Sequence, residues 1–177
     1  MIDIEHLKYP IGKFQVDSVI TMDDLKKAIE EIKSLPKFLE NTVKEFNEGQ
    51  LATPYRPGGW TVRQVIHHCA DSHMNALVRF KLALTEENPR IKPYDEASWA
   101  NLPDYELPIE ISIGMLKNIH FKWVRILEEM SPEDFDKTYF HPESQKDVSL
   151  DEVTLIYAWH GKHHLAHIQA LMIRENW

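Results

Sequence analysis

Trp159-His160-Gly161-Lys162-His163-His164-Leu165-Ala166-His167 places four histidines within eight residues near the C-terminus. On an α-helix, positions three and four apart are neighbours, so His160, His163, His164 and His167 share one face. The same face carries Val153 and Ile156 upstream and Leu171 downstream. Histidines therefore occupy the stripe where a bundle helix normally buries aliphatic side chains. Imidazole is a poor core filler but the commonest metal ligand, suited to zinc, nickel and iron. The stretch reads as a bundle helix carrying half of a metal site.

Working outward, Ser149-Leu150-Asp151-Glu152 caps this helix, which runs to about Glu175. Residues 137–148 before it read as a small hairpin or extended loop, and Ser131-Pro132-Glu133-Asp134 is a further helix start with Pro at the first helical position. A long helix is predicted over residues 108–130, carrying Ile109, Leu116, Ile119, Trp123, Ile126 and Leu127. The proline-rich residues 89–107 form a long crossover, with a short helix inside it over residues 95–102. Thr61-Val62-Arg63-Gln64 is a capping box opening a helix that runs to about residue 88. Ahead of it lies a turn-rich loop, Thr53-Pro54-Tyr55-Arg56-Pro57-Gly58-Gly59. Thr21-Met22-Asp23-Asp24 opens the first long helix, with Leu25, Ile29 and Ile32 at helical spacing. Pro36 is placed to kink or restart it, and Leu39, Val43 and Phe46 continue its stripe to Gly49. The expected fold is all-α: an up-and-down-type four-helix bundle with one long crossover, in a single domain over residues 1–177.

The chain has 177 residues and a formal charge of −8. That balance argues against nucleic-acid or anionic-membrane binding, which need a basic face. No stretch reaches the roughly 18 consecutive apolar residues of a membrane span. The first residues, Met1-Ile2-Asp3-Ile4-Glu5, lack the basic and apolar regions of a signal peptide. Cys69 is the single cysteine, so no intramolecular disulfide forms. A cytoplasmic protein is expected.

Three further histidines, His67, His68 and His73, lie on the helix that follows Thr61. Bundle interiors build metal sites from facing helices, often with an i,i+4 pair on one of them. Two such pairs exist on the last helix, His160/His164 and His163/His167, and one further ligand completes a three-histidine set. Three protein ligands plus water is the pattern of catalytic zinc-type sites. Periodicity slightly favours His73, which lies within the stripe of Ile66, Leu77 and Leu84. His67 sits nearer the edge, but Asp71 one turn on could orient its ring, or serve as ligand or base. The residues alone leave that choice open. His6, His120 and His141 have no such company and read as ordinary surface or core residues.

The stretch Tyr55-Arg56-Pro57-Gly58-Gly59-Trp60-Thr61-Val62-Arg63-Gln64-Val65-Ile66-His67-His68, followed by Ala70-Asp71-Ser72-His73-Met74-Asn75, resembles the YfiT-like branch of the DinB superfamily. Tyr157-Ala158-Trp159-His160-Gly161-Lys162-His163-His164-Leu165-Ala166-His167-Ile168 matches the other end of the pattern. Tyr9-Pro10-Ile11-Gly12 and Arg79-Phe80-Lys81-Leu82 extend the likeness over nearly the whole chain. The resemblance implies a DinB-like four-helix bundle, a cytoplasmic homodimer, and one divalent ion per chain, zinc or nickel, held by three histidines and water. Carried onto this sequence, the ligands would be His67, His160 and His164, with His163 and His167 in packing or supporting roles. It also implies a metal-dependent hydrolase acting on a small molecule. Related bacterial proteins transfer low-molecular-weight thiols such as bacillithiol to electrophiles.

A neutral three-histidine set leaves a divalent ion its full Lewis acidity. Such an ion supports hydrolysis by lowering the pKa of water, or S-transfer by lowering that of a thiol. A metal-binding protein without turnover is the third reading. Cys69 falls inside the apolar stripe and reads as a buried, inert thiol. Trp60 and Trp159 flank the two motifs as pocket walls or core. Arg56 and Arg63 lie near the first motif, where ion pairing or solvation competes with an anionic substrate. The crossover pair Asp95-Glu96 is within reach of the mouth. No carboxylate stands beside His160 and His164 as in HExxH proteases, which disfavours peptide hydrolysis.

Overall fold

Thr21 accepts the backbone N–H of Asp24 while the Asp24 carboxylate accepts the backbone N–H of Thr21, and this reciprocal cap starts the first long helix. The computed structural model describes residues 4–16 and 19–177; Met1, Ile2 and Asp3, on which the reading of the N-terminus partly rests, lie outside the described residues. A short helix α1 (Ile4–Lys8) precedes α2 (Met22–Val43), and α3 (Glu48–Leu51) is a single turn. Then come α4 (Val62–Thr85), the short α5 (Glu96–Trp99), a 3₁₀ turn over Pro103–Glu106, and α6 (Ile109–Leu127). A turn of helix α7 (Pro132–Phe135) leads into the antiparallel hairpin β1 (Thr138–His141) and β2 (Lys146–Ser149), and α8 (Leu150–Glu175) closes the chain.

Two local expectations change. Helix α2 passes through Pro36 without a break but stops at Val43 rather than reaching Gly49. Asn47 and Gln50 cap each other there and start α3, so the chain turns instead of continuing. At α8, Ser149 holds the cap position, yet its hydroxyl donates to the Asp151 carboxylate and not to the helix end. Asp151 Oδ1 accepts the Glu152 N–H at 2.6 Å in its place.

The four long helices form a bundle, but not an up-and-down one. His67 meets Ser112, His73 meets His120, and Phe80 meets Trp123, so α4 and α6 run parallel. Leu25 and Ile29 share one apolar cluster with Leu150 and Val153, while Leu39 and Val43 share the other with Ile168 and Leu171, so α2 and α8 also run parallel. Lys33 pairs with Glu128 and Glu40 with Lys117, which sets α2 against α6 in opposite directions. The order of directions is up, down, down, up. Parallel neighbours need a connection that retraces the helix, about 36 Å for the 24 residues of α4 at 1.5 Å each. Residues 86–108 supply it, and the prolines that mark this segment as a crossover are those of a chain running back along the bundle.

Packing divides the core into two apolar clusters. One holds Phe80, Trp123, Leu127, Leu150 and Val153 towards the hairpin end. The other holds Leu39, Val65, Ile66, Leu116, Ile168 and Leu171 towards the start of α4. Each fully buried large side chain contributes about 1.5–3 kcal/mol relative to exposure. Gly161 is where α8 lies tightly on α2: a Cβ there would stand 2.5 Å from Leu35 Cδ2. Between the clusters lies a layer of imidazoles, His68, His73, His120, His160 and His164.

Candidate metal centre

His160 and His164 project from one face of α8, as their spacing requires, and His68 reaches them from α4. Ligand-capable nitrogens of these three lie within 4.8 Å of one another. His68 Nε2 and His160 Nε2 are 3.3 Å apart. That separation is the edge of a tetrahedron whose centre binds nitrogen at about 2.0–2.1 Å, as zinc does. Desolvation holds His68 down at about pKa 4, and burial followed by the neighbouring imidazoles keeps His160 and His164 well below the ordinary value. All three are therefore neutral near pH 7, the form that ligates. His68 Nδ1 is buried without a hydrogen-bond partner among the described residues. Donor set, spacing and protonation all fit a divalent ion.

The set differs from the expected one at a single position. His67 faces α6, about 100° round the helix from His68, and both its ring nitrogens are taken. Nε2 donates to the Leu107 carbonyl at 3.1 Å, and Nδ1 accepts the Ser112 hydroxyl at 2.7 Å. It offers no lone pair to the centre, and His68 stands in the place expected of it. Asp71 goes with His67: it accepts the Tyr105 hydroxyl at 2.7 Å and lines neither cavity at the centre. Its carboxyl is raised, chiefly by desolvation. His73 is fully buried one layer away, with Nε2 3.2 Å from His160 Nδ1. His163 stacks on Trp159, and His167 stacks on Tyr55 with Nδ1 3.4 Å from His164 Nδ1.

A signal for His68 exists in the sequence. Ser72, Ala76 and Ala83 follow it at helical spacing on one face of α4, and all three are buried, so the face that carries His68 is a buried one. His120, which reads from sequence as an ordinary surface or core residue, is buried and meets His73 at 2.8 Å.

Two cavities converge here. One of about 350 Å³ is lined by Trp60, Trp159, Arg56 and the histidines of the centre. The other, about 950 Å³, runs under the hairpin past Arg79, Tyr94, Tyr139, Lys146 and Tyr157. His160 and Glu96 border both. Glu96 reaches this mouth from α5 in the crossover, and partial desolvation, then Glu143 and Asp95, raise its carboxyl above the ordinary range. Its neighbour Asp95 instead caps α5, accepting the Ser98 N–H at 2.9 Å. Of the two arginines, Arg63 pairs with Glu48 and donates to the Leu107 carbonyl, away from the centre, while Arg56 stays at the mouth beside Tyr55. Trp60 packs on His68 with ring centres 4.6 Å apart, so it walls the site.

A histidine-lined centre thus lies between α4 and α8 of an up-down-down-up helical bundle, and sequence comparison gives the family that this arrangement belongs to. Residues 32–168 match the model of the DinB superfamily, and the chain belongs to that family. It is 57% identical over 170 residues to a protein of Oceanobacillus iheyensis named "Putative metal-dependent hydrolase", covering 96% of this chain and 98% of that one. A protein of Bacillus mycoides with the same designation is 51% identical over 174 residues, covering 98% of this chain and all of its own. Among solved structures, YfiT from Bacillus subtilis aligns with a TM-score of 0.94 at 40% identity, over 97% of this chain and 99% of that one. It is described as "a probable metal-dependent hydrolase with an unusual four-helix bundle topology". Among the described residues, no helix is long and apolar enough to cross a membrane.

Proposed function

We propose that the chain is a metal-dependent hydrolase of a small molecule, with one divalent ion, zinc or nickel, held by His68, His160 and His164. The observation that carries this reading is the 3.3 Å between His68 Nε2 and His160 Nε2, with His164 beside them. When bound, the ion supplies Lewis acidity that lowers the pKa of a coordinated water or thiol. Glu96 is the carboxylate bordering both cavities, and its raised pKa suits it to take and return a proton at the mouth. Trp60 and Trp159 limit water on the narrow side. The reading extends to a cytoplasmic homodimer, which the family likeness supports.

The second reading is S-transfer of a low-molecular-weight thiol to an electrophile. The meeting of two cavities at His160 and Glu96 favours it, because a transferase must seat two reactants. Metal content of untagged protein tests the shared part. Wild type and His67→Ala should carry about one ion per chain, whereas His68→Ala and His160→Ala should carry none. An ion kept in His68→Ala and lost in His67→Ala would overturn the ligand set. With metal loaded, ester or amide cleavage without thiol supports hydrolysis, and consumption of monochlorobimane only with thiol supports transfer. Glu96→Gln should keep the ion and lower either turnover by about 100-fold or more.

A further inference from the structure

His120 Nδ1 lies 2.5 Å from the backbone carbonyl of Ile32 on α2. A carbonyl only accepts, so the ring proton of neutral His120 is on Nδ1 and its Nε2 is an acceptor. His73 Nδ1, 2.8 Å away, must then donate to it. That leaves His73 Nε2 as the acceptor facing His160 Nδ1 at 3.2 Å, which donates in turn. The final consequence falls on His160: its Nε2 carries the lone pair, and Nε2 is the atom that faces His68.

A second chain ends the same way. His167 Nε2 lies 2.9 Å from the carbonyl of Lys8 at the end of α1, so its proton is on Nε2 and its Nδ1 accepts. His164 Nδ1, 3.4 Å away, is the donor, and His164 Nε2 is left free. Two carbonyls on separate elements, relayed by three imidazoles, thus leave both α8 histidines in one tautomer.

We propose that His120 with His73, and His167, are positioning residues that fix the Nδ1–H tautomers and ring orientations of His160 and His164, so that both present Nε2 to a metal ion. The proposal rests on the metal reading above. Residues that hold metal-ligating imidazoles through their second nitrogen commonly contribute 10- to 100-fold in affinity. His120 is the informative member because it touches none of the three candidate ligands. Its influence on the centre has to travel through His73.

Long-range ¹H–¹⁵N correlation spectra of the imidazoles in metal-free protein read each tautomer directly, and zinc titration against a chelating indicator reads affinity. Wild type should show His160 and His164 as Nδ1–H and His167 as Nε2–H. His120→Leu removes the acceptor for His73 while filling its place in the layer with an apolar side chain. It should give a mixture of His160 tautomers and bind zinc about tenfold more weakly or worse. His120→Gln, whose amide both donates and accepts, should restore the wild-type tautomer and affinity. A wild-type His160 protonated on Nε2 would overturn the relay, as would a His120→Leu variant with unchanged tautomers and affinity. Zinc failing to bind wild type would refute the metal reading, and the apo spectra would still decide the tautomers.

Discussion

Cys69 shows how one position on α4 decides between chemistry and packing. Its thiol is 1% exposed and desolvation pushes it up to about pKa 12, so almost no thiolate exists at pH 8. Native protein should therefore not react with iodoacetamide at that pH, and one equivalent should be consumed in 6 M guanidinium. Labelling of native protein at the rate of a free thiol would remove Cys69 from the core. The adjacent pair His67 and His68 poses the same question and was less legible. Hydropathy periodicity ranks positions by burial, and both side chains are buried, at 4% and 2% exposure. What separates them is which neighbouring helix each faces, α6 or α8, and that depends on the order of helices around the bundle. The clustering of His160 and His164 was legible because they lie one above the other on a single helix. The crossover pair Asp95-Glu96 was legible as reaching the mouth, though not which of the two does so, whereas no local pattern marks His120.

At the scale of elements, caps and stripes predicted most of what formed. The capping boxes at Thr21 and Thr61, the hairpin and the long α8 are where the pattern puts them. Helix directions were not legible, because local periodicity is the same for parallel and antiparallel neighbours. The parallel α2–α8 contact depends on Gly161, and it holds α8 where His160 and His164 flank that glycine. Gly161→Val would press a branched side chain into buried Leu35. Overpacking of this kind costs about 1–3 kcal/mol. The variant should unfold at a lower denaturant concentration with an unchanged denaturant slope, and its zinc affinity should fall as His160 and His164 are displaced. Unchanged stability would mean that α2 and α8 yield at this contact without loss.

For the whole molecule, the layer of neutral imidazoles ties stability to pH. His68 and His120 are held down at about pKa 4 by desolvation, against 6.5 in an unfolded chain. Between those values the unfolded chain binds more protons, so stability rises with pH. The contribution is fully present above about pH 6.5 and is lost as pH falls towards 4. Each of these two groups accounts for about 3 kcal/mol across that window, by the free energy of a pKa shift. Metal-free protein should therefore lose several kcal/mol between pH 7 and pH 5 in urea titrations. One transition shared by tryptophan fluorescence and circular dichroism would support a single folding unit over residues 1–177, and two transitions would divide it. Zinc at a hundredfold excess over its Kd should add about 2.7 kcal/mol at pH 7. That gain should shrink at pH 5, because protons compete with the ion for the same nitrogens. A flat pH profile for the metal-free protein would mean that the histidine layer admits water and is charged in the folded state, which the buried neutral relay does not permit.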